Sequence, residues 1–239
     1  MSRYAVVVAG GRSTRFGDRD KAVADLAGTP MIRRVADRVA DATDRLVVNC
    51  RSDQREAIED AMAGYPNPVR YAEDPEPDEG PTAGIRTGLR AAEAWADDDG
   101  TADGRDAAAF VVACDMPFVD PALVAALFDR LDGDGEGDAG DDEGDQGDDG
   151  GDSPDAVVPR VDDEWFQTTH AVYRAGAMAD ACDDALARGD RKVIAPLFEL
   201  EYETVGADDL AALGVDDRSF ENLNTREEFE AAAEAFARR

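Results

Sequence analysis

Three short apolar runs constrain this chain more than anything else in it: residues 4–9 (YAVVVA), 45–50 (RLVVNC) and 107–114 (AAAFVVAC). Apolar at consecutive positions, each reads as a fully buried strand, and such strands belong to parallel sheets covered on both faces by helices. Residues 69–74 (VRYAED) read as a further strand. Amphipathic segments alternate with these runs. Residues 29–43 (TPMIRRVADRVADAT) put Ile32, Val35, Ala36 and Val39 on one helical face, with Thr29 as cap and Pro30 in the first turn. Residues 52–64 and 84–96 read as two more helices, and 120–131 as a fourth, capped by Asp120 with Pro121 behind it. Further strands are expected at 156–161, 168–174 and 200–205, helices near 176–188 and up to 237, and a short segment at 191–197; no internal repeat is visible. Strand–helix alternation with short connections predicts a three-layer α/β/α, Rossmann-like fold on a mainly parallel sheet. Ligands of such sheets sit beyond the carboxyl ends of the strands, which points to Gly10 onward and to Asp115 onward.

The 239 residues suit one domain, spanning 1–239 and interrupted once. Residues 132–155 (DGDGEGDAGDDEGDQGDDGGDSPD) hold 12 acidic residues, no basic ones and almost nothing apolar. A stretch of this kind cannot bury enough surface to order itself, so a flexible insert between core elements is expected. Residues 132–143 match a calcium-loop spacing through Asp132, Asp134, Glu136, Gly137 and Glu143, but an Asp/Gly tract matches by chance and no exiting helix follows. Over the whole chain, 55 acidic against 25 basic residues leave a formal net charge of -30, which argues against nucleic acid and anionic membranes as partners. Just two of the basic residues are lysine, Lys21 and Lys192. An acid-rich, lysine-poor surface suits concentrated salt, where screening removes self-repulsion. Cys50, Cys114 and Cys182 are widely spaced and odd in number, so they read as reduced, packed thiols of a cytoplasmic protein. The opening residues do not read as a signal peptide, and no apolar run approaches the length of a membrane helix.

The first strand runs into A-G-G-x-S-x-R-x-G-x-x-D-K, residues 9–21. A P-loop would need a lysine after Gly17, where Asp18 stands; a dinucleotide fingerprint would need GxGxxG, whereas Gly10 and Gly11 are adjacent. What the loop offers is a turn able to bend around a polyphosphate (Gly10, Gly11), a fork for phosphate oxygens (Arg15) and a point charge (Lys21), with Arg12 and Arg19 beside them. In so acidic a chain this cation cluster fits a triphosphate better than a solvated turn. The stretch VAGGRSTRFGDRDKA (8–22) closely resembles the signature of nucleotidyltransferases that transfer a nucleoside monophosphate from a triphosphate. Within them it is most similar to the molybdenum cofactor guanylyltransferase (MobA) family, as EDPEPDEGPTAG (73–84), ACDMPFVDP (113–121) and ENLNTREEF (221–229) follow in that family's order. Phe16 stands where the family often has methionine, and the acidic insert is not typical of it.

The resemblance implies the nucleotidyltransferase fold, GTP and molybdopterin as substrates, magnesium as cofactor, and direct attack of the molybdopterin phosphate on the α-phosphorus of GTP, with pyrophosphate leaving. Proteins that insert molybdenum or receive the finished cofactor are the implied protein partners. No covalent enzyme intermediate is needed, which suits a chain with a single histidine, His170, itself read as packing. The implied catalytic residues are Lys21, Asp115 and Arg15, with Asp115 as the magnesium ligand; a turn aspartate before Pro117 is the alternative, though Asp120 serves a helix start better. Gly10, Gly11 and Lys21 would wrap the triphosphate. Base choice would fall to Val8, Ala9 and Gly10 backbone groups, Asn49 and Asp74, since a carboxylate accepts from both donors on guanine's Watson–Crick edge. Asn49 could instead satisfy its own backbone, and Asp74 could belong to a solvated acidic loop with Glu73, Glu76, Asp78 and Glu79. Pro81 and Gly84 would let a helix start approach the nucleotide; of Asn222 and Asn224, one would reach the site and the other brace it, or Asn224 would cap the last helix. Arg191 and Lys192 resemble a basic patch facing the pterin, or cations at a helix end. The rival activities are GMP transfer to cobinamide phosphate or phospholactate, CMP transfer to molybdopterin, a sugar-nucleotide pyrophosphorylase and a non-catalytic carrier of GTP and molybdopterin.

Overall fold

Along β1 (Arg3–Val8), Tyr4 and Val6 point to one side and Ala5 and Val7 to the other, all four buried, so each face of the strand needs a helical layer over it. The computed structural model describes residues 2–11, 20–76, 79–100, 103–133, 153–161 and 164–238. After β1 come β2 (Asp25–Leu26), β3 (Thr29–Pro30), α1 (Met31–Val39), β4 (Arg45–Cys50), α2 (Arg55–Ala61), β5 (Val69–Glu73), α3 (Pro81–Asp99), β6 (Ala108–Ala113) and α4 (Pro121–Leu131). Then follow β7 (Ala156–Val161), β8 (Trp165–Phe166), β9 (His170–Arg174), α5 (Ala175–Ala187), α6 (Ile194–Leu197), β10 (Tyr202–Val205), α7 (Ala207–Ala212) and α8 (Arg226–Ala237).

The main sheet has the order β10-β7-β9-β6-β1-β4-β5, with β8 beside β7. β1 is parallel to β4 and β6, β5 to β4, and β10 to β7, while β9 runs against both β6 and β7. The sheet is therefore mixed but mainly parallel, as the alternation implies. On one face α1, α2, α4 and α7 bring Ile32, Ile58, Leu127 and Leu210 against Ala5, Val7 and Phe110. On the other, α3, α5 and α6 bring Leu89, Met178 and Leu197 against Tyr4, Val6 and Tyr173. A third cluster of Leu26, Met31, Phe118, Leu223 and Ala232 seats α8 beside the β2–β3 hairpin, with the Phe118 and Phe236 rings stacked 4.9 Å apart.

The helix expected over 29–43 occupies Met31–Val39, and Thr29 is not its cap. Thr29–Pro30 instead pair with Asp25–Leu26 across a turn with Ala27 (φ 52°) and Gly28 (φ 83°), and Pro30 is the N-cap residue. Two-residue strands carry no periodicity to read. The third helix starts at Pro81 rather than residue 84, because a proline at the first helical position has no N–H to lose. β8 and α7 have no counterpart in the sequence reading, whereas Asp120 caps α4 as expected, accepting the Ala122 N–H at 2.8 Å.

Of the acidic tract, residues 134–152 lie outside the described residues, and with them Asp134, Glu136, Gly137 and Glu143 of the calcium-like spacing. The two ends of the tract are anchored. Asp132 lies 3.5 Å from both Arg3 and Arg174, and the Asp155 carbonyl accepts the Arg174 N–H at 2.7 Å. No helix among the described residues is long and apolar enough to cross a membrane.

Candidate active site

A single rung of the sheet builds the site. Ala113 of β6, Val8 of β1, Asn49 of β4 and Ala72 of β5 stand side by side in register. Parallel strands share polarity, so all four chain segments leave the sheet at one edge. Two residues past the rung lie Asp115, Gly10, Arg51 and Asp74. The exits are tied to one another: Cys114 N–H to the Val8 carbonyl at 3.1 Å, Ala9 N–H to that of Asn49 at 2.9 Å, and Asp74 N–H to that of Cys50 at 2.9 Å. Beyond them opens a cavity of about 470 Å³. Of the expected site residues, Val8, Ala9, Gly10, Gly11, Lys21, Asn49, Asp74, Gly84, Asp115 and Asn224 line it. Asn222 does not, and Arg15, with Arg12 and Arg19, lies outside the described residues.

Lys21 is 7% exposed, and its Nζ donates to Asp115 Oδ2 at 2.7 Å and to Asn224 Oδ1 at 3.4 Å. Asp115 Oδ1 is buried and has no hydrogen-bond partner among the described residues. The segment after a 3-10 turn at Asp217–Phe220 is pinned to this aspartate, since the Leu223 N–H donates to the Asp115 carbonyl at 2.9 Å while the Leu223 side chain anchors in the third cluster. There the chain is turned, the Asn224 N–H reaching the Asn222 carbonyl at 3.1 Å; both asparagines are exposed, but only Asn224 meets Lys21 and lines the cavity. Asn224 does not cap α8. Thr225 does, in a capping box where its Oγ1 accepts the Glu228 N–H at 3.2 Å and Glu228 accepts the Thr225 N–H at 2.8 Å. That leaves the Asn224 amide free for the lysine.

Asn49 is fully buried, and its Nδ2 donates to Asp74 Oδ1 at 2.6 Å and to the Ala72 carbonyl at 3.3 Å. Its partners thus lie on the neighbouring strand and beyond, not on its own backbone, and its Oδ1 is left without a partner among the described residues. Burial holds the Asp74 carboxyl above the usual carboxylate range, against the lowering pull of the Asn49 hydrogen bond. Two glycines make room for this pair. A Cβ on Gly10 would come within 2.5 Å of Asp74 Oδ2, and one on Gly84 within 2.6 Å of Asn49 Oδ1. Gly84 therefore lets α3 seat on the sheet as well as approach the cavity.

Arg51 and Gln54 go unmarked in the sequence reading, and Asp20 enters it only as a fixed position of the 9–21 motif with no role of its own. Arg51 Nη1 donates to the Gly10 and Gly11 carbonyls, each at 3.0 Å. Gln54 Nε2 donates to the Ala9 carbonyl at 3.1 Å and to the Asp20 carboxylate. Nothing in their spacing marks them, because a polar pair at a helix start looks like capping. Arg191 and Lys192 are exposed beside the start of α3, where Thr82 Oγ1 donates to the Arg191 carbonyl at 2.9 Å. His170 is buried between the Phe110 and Phe220 rings, and burial pushes its pKa down to about 3, so it is neutral packing as expected. The three cysteines are unbridged; burial pushes Cys50 up to about 11, Cys182 to about 12 and Cys114 further still, so none is a ready thiolate.

A family model described as the MobA-like NTP transferase domain matches residues 5–204. The chain belongs to that family. A probable molybdenum cofactor guanylyltransferase of Natronomonas pharaonis is 43% identical over 232 residues, covering 97% of each chain. One from Haloferax mediterranei is 33% identical, covering 96% of this chain and 92% of its own. Among solved structures, molybdopterin-guanine dinucleotide biosynthesis protein A from Archaeoglobus fulgidus superposes with a TM-score of 0.68 at 24% identity, covering 99% of this chain and 100% of that one. A 4-diphosphocytidyl-2C-methyl-D-erythritol synthase from Anaerococcus prevotii does so at 0.64 and 14% identity, covering 100% and 99%. The last two carry the fold: three-layer α/β/α, as in other nucleotidyltransferases. Family membership makes the chain a nucleotidyltransferase.

Proposed function

We propose that this protein transfers GMP from GTP to the molybdopterin phosphate of the molybdenum cofactor, in one cytoplasmic domain whose acidic tract is an insert. The observation that carries the reading is the Lys21–Asp115 pair, 2.7 Å apart in the lining of a cavity that Asn49 and Asp74 also line. The names of the two archaeal relatives supply the acceptor and the base. An oxygen of the acceptor phosphate attacks the α-phosphorus, the bond to the α–β bridging oxygen breaks, and pyrophosphate leaves with the electron pair. Catalysis of this kind is positioning and charge neutralisation. Lys21 neutralises charge on the departing pyrophosphate, Gly10 and Gly11 receive the phosphates on backbone N–H groups, and Arg15, outside the described residues, is a further cation for them by its motif.

The residues present fit magnesium. Asp115 Oδ1 is a buried carboxylate oxygen without a hydrogen-bond partner among the described residues, and magnesium characteristically takes one or two carboxylates together with substrate phosphate oxygens. Asp115 would hold it, and it would supply positive charge to the phosphates. Among the described residues no cluster of three or more His, Cys, Asp or Glu could hold a metal, so the remaining ligands would be water and substrate.

Purified protein in molar KCl with magnesium and molybdopterin cofactor, offered each nucleoside triphosphate in turn, should release pyrophosphate with GTP and place GMP on the pterin. Attachment of CMP, or acceptance of cobinamide phosphate in place of the pterin, would move the assignment to a sister activity. Binding without turnover would make it a carrier.

Asp74 is the proposed acceptor for guanine's ring N–H and exocyclic amine. Asp74→Asn should cut the preference for GTP over ITP about tenfold, the worth of a hydrogen bond to a charged group. The same change should stabilise the fold. With its folded pKa raised, Asp74 binds more protons folded than unfolded between the ordinary and raised values, so its contribution to stability falls as pH rises through that window. Melting curves across acidic pH should show the variant gaining on the parent through the window and staying ahead above it. Replacing 134–152 by a short Gly/Ser linker, with the anchored Asp132 and Asp155 kept, should leave turnover in molar KCl within about twofold, since the tract has no core-forming residues. A collapse in yield would show that the insert contributes to the fold.

A further inference from the structure

We infer that Arg51 and Gln54 are positioning residues that hold the Gly10–Gly11 turn in its anion-receiving orientation. The inference rests on the nucleotidyltransferase reading above and deepens it. Three consecutive carbonyls, those of Ala9, Gly10 and Gly11, each accept a hydrogen bond from one of these two side chains at 3.0 or 3.1 Å. In a planar trans peptide the carbonyl and the following N–H point in opposite directions. Fixing the Ala9 and Gly10 carbonyls toward Arg51 and Gln54 therefore turns the Gly10 and Gly11 N–H groups away from them. Neither N–H donates to a described protein group, and both residues line the cavity. Consecutive N–H groups aimed one way form a concavity for anions.

The brace is built, not incidental. Arg51 stands two residues past the rung on β4, directly beside Gly10 at the same height past β1. Nε and Nη2 donate to Asp53 at 2.9 and 3.3 Å, and Nη2 also lies 3.9 Å from Asp20 Oδ2, so the guanidinium is held by carbonyls and carboxylates and acts through the backbone. Gln54 is 3% exposed, and its orientation is fixed by its partners: Oε1 accepts the Arg51 N–H at 3.1 Å, which leaves Nε2 for the carbonyl and the carboxylate. The carboxylate is that of Asp20, which also accepts the Ala22 N–H at 3.0 Å. One amide thus links the residues on either side of the loop, Ala9 and Asp20, and sets Lys21 between Asp20 and Ala22.

Glycine supplies the reason a brace is needed. Without a Cβ, the Gly10–Gly11 peptide can flip at little steric cost, and a flipped plane would present a carbonyl to the phosphates. A site that is competent only part of the time binds more weakly by that fraction.

The test uses Arg51→Met and Gln54→Glu, the second nearly isosteric but without the donors. Dissociation constants for GTP, with magnesium, and for guanosine, which has no phosphate, are measured for the parent and both variants. GTP should weaken roughly tenfold or more in each, through KM more than kcat, and guanosine by less than about twofold, with Arg51→Lys recovering part of the loss. GTP affinity within twofold of the parent in both variants, or equal weakening of GTP and guanosine, overturns the inference. Should Arg51→Met fail to fold by circular dichroism, Gln54→Glu alone decides by the same ratio. A parent protein that binds no nucleoside triphosphate overturns the functional reading and this inference with it; a parent that binds GTP beside variants that bind it equally well overturns the inference alone.

Discussion

Asp115→Asn is expected to lower turnover by about three orders of magnitude in a protein that remains folded, the scale of several kcal/mol of charge stabilisation at a phosphoryl centre. The residue leaves β6 two positions beyond the rung that aligns it with Gly10 and Asp74, so its place is set by the sheet and not by a loop. One carboxylate oxygen is committed to Lys21, and the other is buried without a partner among the described residues. A buried polar atom of that kind is rare unless something binds it. Asparagine keeps the shape, and its carbonyl oxygen can still accept from Lys21. The loss of stability should then be about 1–2 kcal/mol, that of one weakened hydrogen bond to a cation. Two measurements check this together: steady-state turnover as a function of magnesium concentration, and a thermal melt. Turnover within tenfold of the parent at ordinary magnesium would end the assignment of Asp115 to the metal.

The central strands are legible in the sequence for a physical reason. Burial on both faces strips every polar residue from the interior of YAVVV and AAFVVA, so no shift of reading frame can disguise them. The reversal of β9 was legible in principle. Just eight residues separate Val161 from His170, too few for the crossover of a dozen or more that a parallel partner of β7 would need. What stays hidden is whatever depends on register. Lys21 and Asp115 can be picked out as residues, by motif and by strand end. The rule that ligands sit beyond the carboxyl ends of the strands already brings both to one sheet edge, whereas their direct contact across 94 positions depends on the parallel pairing of β1 with β6, which leaves no local trace. The same holds for Asn49, whose partner Asp74 is fixed by the pairing of β4 with β5, and for Arg51, which owes its role to standing next to Gly10. Short hairpins such as β2–β3 fail for another reason, because two residues carry no period at all.

Lys21→Met should lower kcat by about two to three orders of magnitude, even at saturating magnesium, which is the cost of removing one preorganised charge from a developing anion. In a chain with 25 basic residues and two lysines, a lysine here has a structural explanation. The ammonium donates to both Asp115 and Asn224 from a side chain 7% exposed, a use that suits a compact point charge better than a planar guanidinium fork. Methionine preserves the stem and loses the charge. It leaves the Asp115 side chain, 18% exposed, without its cation, so the fold should weaken by roughly 1–3 kcal/mol, less than for a fully buried pair. Two roles for the lysine then separate cleanly. If it merely holds Asp115 in position for the metal, raising magnesium should restore kcat, and the double variant with Asp115→Asn should be no worse than Asp115→Asn alone. If it neutralises charge on departing pyrophosphate, kcat stays low at any magnesium concentration, while the KM for the pterin acceptor hardly moves. The second outcome is the expected one, because Lys21 lines the same cavity as Gly10 and Gly11, the turn that would receive the phosphates.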